Sequence, residues 1–360
     1  MNGNGVPLLS FEPGSLRPIS PRRAYDDNED DDRSTNRKRW YHYLPLLGAI
    51  LLILMPHPSL MTVFIHYHLL ILHSKTLFLT HLSVTYALTF LAFTSLIVCV
   101  ARDPGPIPDP KSTLARADMT LEEALLTPPP DDDYTHPGKW CRVCWAPKPE
   151  RAHHCSQCGR CVLKMDHHCP WMGAKCIGHR TYAPFIHFLA SVTLLSLYTA
   201  GIAIEGLWFA FHNALTIDET TPLHMLFLAF AGLAFGMIIG SFLTYHIYLT
   251  LTNQTTIESG SAFHLLRHLP PLSSSRLSNP PYEHELSYPQ RRLVRAAHGS
   301  VRLYDLGWRK NWAQVFKPGW RTWIYGGSCP GDGQKFPRNP RADEMLSRLA
   351  SDLVKLDQEA

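Results

Sequence analysis

The chain has 360 residues, with 34 Lys and Arg against 30 Asp and Glu and a formal net charge of +4. That balance is mild, and the basic residues do not gather into one face readable from the sequence, so no nucleic-acid partner is implied. Several apolar runs reach the roughly 20 residues needed to cross a bilayer, which excludes an ordinary soluble protein.

Residues 1–42 read as a polar, disordered tail, with an acidic run from Asp26 to Asp32 followed by Arg33, Arg37, Lys38 and Arg39. The acidic run reads as solvated chain. Four apolar stretches follow, and the expected fold is an all-α, multi-pass membrane protein with four transmembrane helices. Residues 43–101 hold the first two. The first, Tyr43 to Leu72, is interrupted by Pro56-His57-Pro58 and reads either as one long kinked span or as a span plus an interfacial piece. The second, Leu77 to Ala101, is uninterrupted. Residues 183–251 hold the third, Ala183 to Phe211, and the fourth, Leu223 to Leu251. The fourth is rich in small residues at Gly232, Gly236 and Gly240, which let helices approach closely in lipid.

Lys and Arg counts in the connecting segments set an orientation. There are seven before the first span, one between the first two, eleven in 102–182, none in 212–222 and fifteen after 251. The alternation predicts that both termini and the segment 102–182 are cytosolic. An endomembrane, the ER, Golgi or vacuole, is the expected location.

Residues 102–138 form a Pro/Asp-rich linker. Residues 139–182 then carry most of the chemistry. Seven of the nine cysteines fall between Cys141 and Cys176. Most cysteines thus find a metal or catalytic use, so no disulfide framework is implied. Two C-x2-C pairs, Cys141/Cys144 and Cys155/Cys158, have the spacing of zinc ligands, and His154, Cys161, His168 and Cys176 follow. Two sites of three thiols and one imidazole use six cysteines and two histidines. One thiol, Cys169, is left over, in Asp166-His167-His168-Cys169. A thiol beside a histidine and a carboxylate is the arrangement of an activated nucleophile. His167 can take the thiol proton, and Asp166 can orient and charge-stabilise that imidazole. His168, ligating metal, would fix the loop that carries Cys169.

Asp-His-His-Cys after a cysteine-rich region, with H-H-C-x2-C-x2-C and C-P-W in order, resembles the DHHC family of membrane protein S-acyltransferases (palmitoyltransferases), fungal type. The resemblance implies that a fatty acyl-CoA, palmitoyl-CoA, acylates Cys169 with His167 as base and Asp166 as its partner. The acyl group then passes to cysteines of membrane-associated substrate proteins. It also implies two structural zinc ions in a small module of short hairpins between the second and third spans. One is held by Cys141, Cys144, His154 and Cys161, the other by Cys155, Cys158, His168 and Cys176. The family usually runs C-P-W-x-x-N-C; between Cys169 and Cys176 this chain has one extra residue, with Lys175 in place of the Asn and Gly173 available to fold the longer loop back. Lys148, Arg151 and His153, with Arg160 and Lys164 nearby, are expected to meet the phosphates of CoA; a solvated basic surface or contact with anionic lipid is the alternative for each. Trp171 is expected either to cover the thioester or to anchor at the interface.

Three further stretches resemble family motifs. Asp103-Pro104-Gly105 resembles the DPG motif after the second span. Thr255-Thr256-Ile257-Glu258 resembles TTxE, in which Thr256 would hydrogen-bond Asp166. Tyr304 to Phe316 resembles the C-terminal PaCCT motif, with Asn311 as a brace and Trp308, Trp312, Val315 and Phe316 as one helical face, suited to an interfacial anchor. Within the C-terminal region 252–360, residues 268–291 read as a flexible linker. Asp343 to Leu356 reads as a surface amphipathic helix whose partner the sequence does not give. The rival function is a non-enzymatic membrane scaffold that displays a zinc module for protein binding; it leaves Asp166, His167 and Cys169 without purpose.

Overall fold

Four helices among the described residues are long and apolar enough to cross a membrane: Trp40–Ile71, Lys75–Ala101, Tyr182–His212 and Thr221–Leu251. The computed structural model describes residues 39–107, 140, 141, 143, 144, 146–273 and 275–359. The acidic run and most of the Pro/Asp-rich linker lie outside them. Everything below concerns the compact unit Tyr41–Ala360.

At 1.5 Å per residue, the 27-residue second span is about 40 Å long and exceeds the bilayer's hydrocarbon core of about 30 Å. Ser74 caps it by accepting a bond from the Leu77 amide. The first span is one long helical passage: Pro56 divides Leu44–Leu54 from His57–Val63, and the last two turns, Phe64–Ile71, are wound as a π-helix. Of the two readings open from the sequence, the unbroken helical passage Trp40–Ile71 fits one long kinked span. Asp218 starts the fourth span by accepting from the amides of Thr220 and Thr221.

The third and fourth spans pack closely because the facing residues are small. A Cβ added to Gly232 would stand 2.6 Å from the carbonyl oxygen of Ser196, and one added to Gly236 would stand 2.7 Å from Leu197. Gly240 lies one turn further on, facing Thr193. The stripe anticipated from spacing is thus a real helix–helix seam.

Between the second and third spans stand three antiparallel hairpins: β1 (Trp140–Cys141) with β2 (Ala146–Pro147), β3 (His153–Cys155) with β4 (Arg160–Val162), and β5 (His167–Cys169) with β6 (Lys175–Ile177). Among the described residues no strand exceeds three residues. Strands this short bury too little to persist alone. The module docks on the spans through the DPG turn. Gly105 accepts from the Leu163 amide, Pro104 accepts from the Arg180 amide, and Pro106 bridges Val162.

Beyond the fourth span, the helices Tyr288–Ser300 and Pro340–Gln358 pack with the 3-10 segment Ala262–His268 around Leu265, Leu266, Val294, Leu346, Leu349 and Leu353. The amphipathic helix expected at 343–356 therefore has its partner inside the chain. The described residues of the stretch expected as a flexible linker are tied down. Glu285 accepts from the Ser278 amide and hydroxyl, Asp357 accepts from the Ser275 hydroxyl, and Asn279 accepts from the Leu272 amide. The face expected over 308–316 is split. Trp308 and Trp312 are exposed, Val315 is buried, and the helix ends at Ala313. Asn311 is fully buried and does brace: its amide donates to the Leu251 carbonyl at 2.6 Å and to Asp305 at 2.7 Å.

Candidate active site and metal centres

Each C-x2-C pair forms a knuckle in which the second cysteine's amide points at the first sulfur, at 3.4 Å in both. The hairpins then supply the rest. In the β3–β4 pair His154 stands opposite Cys161, and in the β5–β6 pair His168 stands opposite Cys176. The β3–β4 hairpin serves both groups: its strands complete the first quartet, and its tip carries Cys155 and Cys158 of the second.

The donor atoms of Cys141, Cys144, His154 and Cys161 all lie within 4.8 Å of one another, and so do those of Cys155, Cys158, His168 and Cys176. His154 Nδ1 stands 3.5, 3.2 and 3.8 Å from the sulfurs of Cys141, Cys144 and Cys161. His168 Nδ1 stands 3.5, 3.4 and 3.8 Å from those of Cys155, Cys158 and Cys176. A tetrahedron with metal–sulfur bonds of about 2.3 Å has edges of about 3.8 Å, so both quartets fit a four-coordinate ion. Together they could hold two metal ions.

The extra residue before Cys176 is absorbed locally. Gly173 takes the left-handed conformation at φ 71° and Ala174 follows at φ 49°. The Ala174 amide closes back on the Pro170 carbonyl. Cys176 therefore returns opposite His168, its sulfur 3.5 Å from that of Cys158. Lys175 donates to the carbonyl of Val100 at the end of the second span.

Cys169 belongs to neither quartet. Its side chain is buried in the same apolar cluster as Leu96, Cys99, Met172, Phe185, Phe188 and Leu189 of the spans and the loop. His167 donates from Nδ1 to Asp166 Oδ2 at 2.8 Å, which leaves Nε2 for the thiol. Burial pulls the His167 imidazole down, but the hydrogen bond and charge of Asp166, with the nearby Cys169 sulfur, outweigh it and lift the group from 6.5 to about 9. Asp166 is itself clamped. The Thr256 amide donates to its Oδ1 at 3.0 Å, and the Thr256 hydroxyl donates to its backbone carbonyl. Thr256 opens a short helix with a capping box, in which Thr255 and Glu258 satisfy each other's amides.

Arg151 and His153 take positions other than those expected. The Arg151 guanidinium bonds Glu258 at 2.7 and 2.8 Å and Asn253 twice at 3.0 Å, under the rings of Tyr304 and Phe336. Its donors are spent inside the protein, so it joins the module to the end of the fourth span and does not face a phosphate. Burial, then His264 and Arg267, push the His153 imidazole down to about 4, so it carries no charge at neutral pH. Its ring packs edge-on to His264. Arg160 pairs with Asp103 at 2.8 Å, and Lys164 is buried. Lys148 is partly exposed and remains accessible. Trp171 is half exposed and lies against Gly48 of the first span.

One residue beside the site has no counterpart in the sequence reading. His246 of the fourth span is fully buried, and one of its ring nitrogens lies within 4.8 Å of both Asp166 and His167. A lone histidine in an apolar run gives no periodic or spacing signal that could have singled it out.

Four helices long and apolar enough to cross a membrane, two quartets that could hold metal ions and one further buried thiol next to a His–Asp pair define a multi-pass membrane protein with a cysteine-rich module between its second and third spans. Residues 134–261 match the family model described as DHHC palmitoyltransferase, and the chain carries a domain of that family. It is 33% identical over 186 residues to palmitoyltransferase PFA3 of Debaryomyces hansenii, covering 52% of this chain and 43% of that one. With palmitoyltransferase pfa3 of Aspergillus fumigatus it shares 38% over 149 residues, 41% of this chain and 26% of the relative. With human palmitoyltransferase ZDHHC15 it shares 31% over 231 residues, 63% and 59%. The chain thus spans less than two thirds of the length of each of these relatives.

Proposed function

We propose that this chain is a protein S-acyltransferase that moves a fatty acyl group from palmitoyl-CoA to cysteine thiols of membrane-associated proteins, through an acyl-Cys169 intermediate. The observation that carries this reading is the Cys169 thiol, set beside a His167 that Asp166 backs at 2.8 Å, and buried among side chains of the spans. A scaffold needs none of these three features.

The chemistry proceeds in two balanced steps. His167, lifted to about 9, already holds the proton that Cys169 gives up, with Asp166 supporting the positive charge, and the freed sulfur attacks the thioester carbonyl. The carbon–sulfur bond to CoA breaks, and His167 returns the proton to the departing CoA sulfur. A substrate thiol then gives its proton to His167 and attacks the acyl-Cys169 carbonyl, and the Cys169 sulfur leaves and is reprotonated. The Thr256 clamp on Asp166 fixes the base relative to the sulfur throughout. The apolar cluster around Cys169 gives the acyl chain a path among the spans and away from water.

Both quartets suit zinc, since thiolate and imidazole donors in a tetrahedron are its preferred set. The ions would be structural: each is fully served by four protein donors, with no open position for substrate. Lys148 is left as the cation best placed for CoA phosphates, and Trp171 for the interface or the thioester. The Lys and Arg alternation supports a cytosolic module and cytosolic ends. The membrane would be an endomembrane such as the ER, Golgi or vacuole.

The test is labelling of the purified chain with a fluorescent palmitoyl-CoA. Wild type should acquire a hydroxylamine-labile label, and Cys169→Ser should acquire none while keeping its zinc. Transfer to a substrate protein by Cys169→Ser at the wild-type rate would refute the mechanism.

A further inference from the structure

We infer that His246, on the fourth span, is a positioning residue of the acyl-transfer site, acting on the His167–Asp166 pair from the membrane side. The inference deepens the acyltransferase reading and rests on it. The fourth span then grips the catalytic loop twice. Thr256, beyond its end, bonds Asp166 directly, and His246, ten positions earlier, reaches the same pair from within the bundle.

Three observations converge. The first is placement. The His246 and His167 ring centres are 5.9 Å apart, and Phe185 and Phe242 complete an aromatic collar around both, with Phe185 5.1 Å from His167 and 5.2 Å from His246. The bond from Nδ1 to Asp166 holds His167 at one edge only; the collar limits its tilt, and His246 is the polar member of that collar.

The second is the state of the His246 ring. Its Nδ1 lies 3.3 Å from the hydroxyl of Tyr182, at the start of the third span, which fixes the ring plane. Its Nε2 is buried and has no hydrogen-bond partner among the described residues. Buried polar atoms are nearly always paired, and one left orphaned asks for an explanation in function.

The third is chemical economy. A leucine or phenylalanine would fill a site lined by Phe185, Phe242 and Tyr182 with no orphaned nitrogen. An imidazole there makes sense if a polar group is wanted beside a pair whose charge changes with each proton transfer. The ring lies within 4.8 Å of the pair in a fully buried setting, where polar interactions are strong. His246 touches no reacting atom in this arrangement, so its effect passes through His167.

The experiment is single-turnover acylation of the full chain by palmitoyl-CoA, comparing His246→Phe, which keeps the bulk, with His246→Gln, which places an amide near Nε2. His246→Phe should lower the maximal rate by about 10²-fold, the scale of a misplaced catalytic group, with the half-saturating palmitoyl-CoA concentration unchanged. His246→Gln should recover most of the loss. Both should keep two zinc ions per chain. Should His246→Phe fail to fold, Tyr182→Phe frees the ring and should slow the maximal rate by roughly fivefold, as for one lost hydrogen bond. Wild-type rates in His246→Phe, or equal slowing of both His246 variants with loss of zinc, would reduce His246 to a packing residue and overturn the inference. A wild-type chain that takes no label at Cys169 would instead refute the acyltransferase reading, and the two failures cannot be confused.

Discussion

The hairpin module at 140–177 and the lobe at 262–359 are held together by opposite means. The module has strands of two or three residues and a small apolar cluster of Cys155, Val162, Met165 and Cys176, two of whose members are cysteines of the second quartet. The lobe has a leucine core between two helices and a 3-10 segment, with no quartet of metal donors among its described residues. Order in the module would therefore depend on metal held by eight side chains, whereas order in the lobe depends on area removed from water. The site draws on the first arrangement and on the spans: Cys169 lies in a loop flanked by the quartet residues His168 and Cys176, and the apolar cluster that buries it comes from the spans.

The largest expected effect breaks this contrast at its root. Stripping metal with a strong chelator, or Cys158→Ala, should unfold the module, because binding of a structural zinc is worth on the order of 10 kcal/mol of folding free energy. Hydrogen exchange should then accelerate across 153–177 and stay slow across 288–300 and 340–358. Uniform acceleration in both regions would mean that the lobe leans on the metal as well.

A smaller effect is expected where the module meets the fourth span. Arg151→Met leaves Glu258 as a buried charge without its partner, and should cost about 3–5 kcal/mol. Thermal unfolding should show the loss while zinc content holds. The pair also has a pH signature. Burial pushes the Glu258 carboxyl up, but Arg151 outweighs it and holds the group below its ordinary 4.5. The stabilisation is then complete above that value and is lost as pH falls through the depressed one. Arg151→Met should flatten the acid limb of the stability profile.

The lobe's own test is Leu349→Ala. Removing this buried side chain should destabilise the lobe by roughly 2–5 kcal/mol, with zinc content unchanged. At the bottom of the scale, Arg348→Ala on the exposed Glu344–Arg348 pair should change stability by less than about 0.5 kcal/mol. A larger change would mean that the outer face of the lobe helix is in contact with something.

What the sequence reveals follows the same division. Both quartets could be written from spacing and motif because thiol and imidazole donors are few and their chemistry is specific. The four spans and the glycine seam were readable because lipid leaves the backbone few choices. The amphipathic period of the last helix was visible, but its partners Leu265, Leu266 and Val294 lie far off in sequence, and periodicity names no partner. Residues 268–291 looked like linker from their Pro and Ser content. What orders them is a set of side-chain acceptors, Asn279, Glu285 and Asp357, that only the folded chain brings close. Arg151 and His153 looked like phosphate ligands because sequence gives charge without burial. His246 escaped altogether, since its meaning lies in a contact with residues some eighty positions away.

The measurement that bears most directly on all of this is native mass spectrometry of the chain after exposure to palmitoyl-CoA. The expected species carries two zinc ions and one acyl group together, with the acyl group mapped to Cys169 and removed by hydroxylamine. An acylated species that has lost a zinc ion, or a label mapped to any of the eight quartet residues, would contradict it.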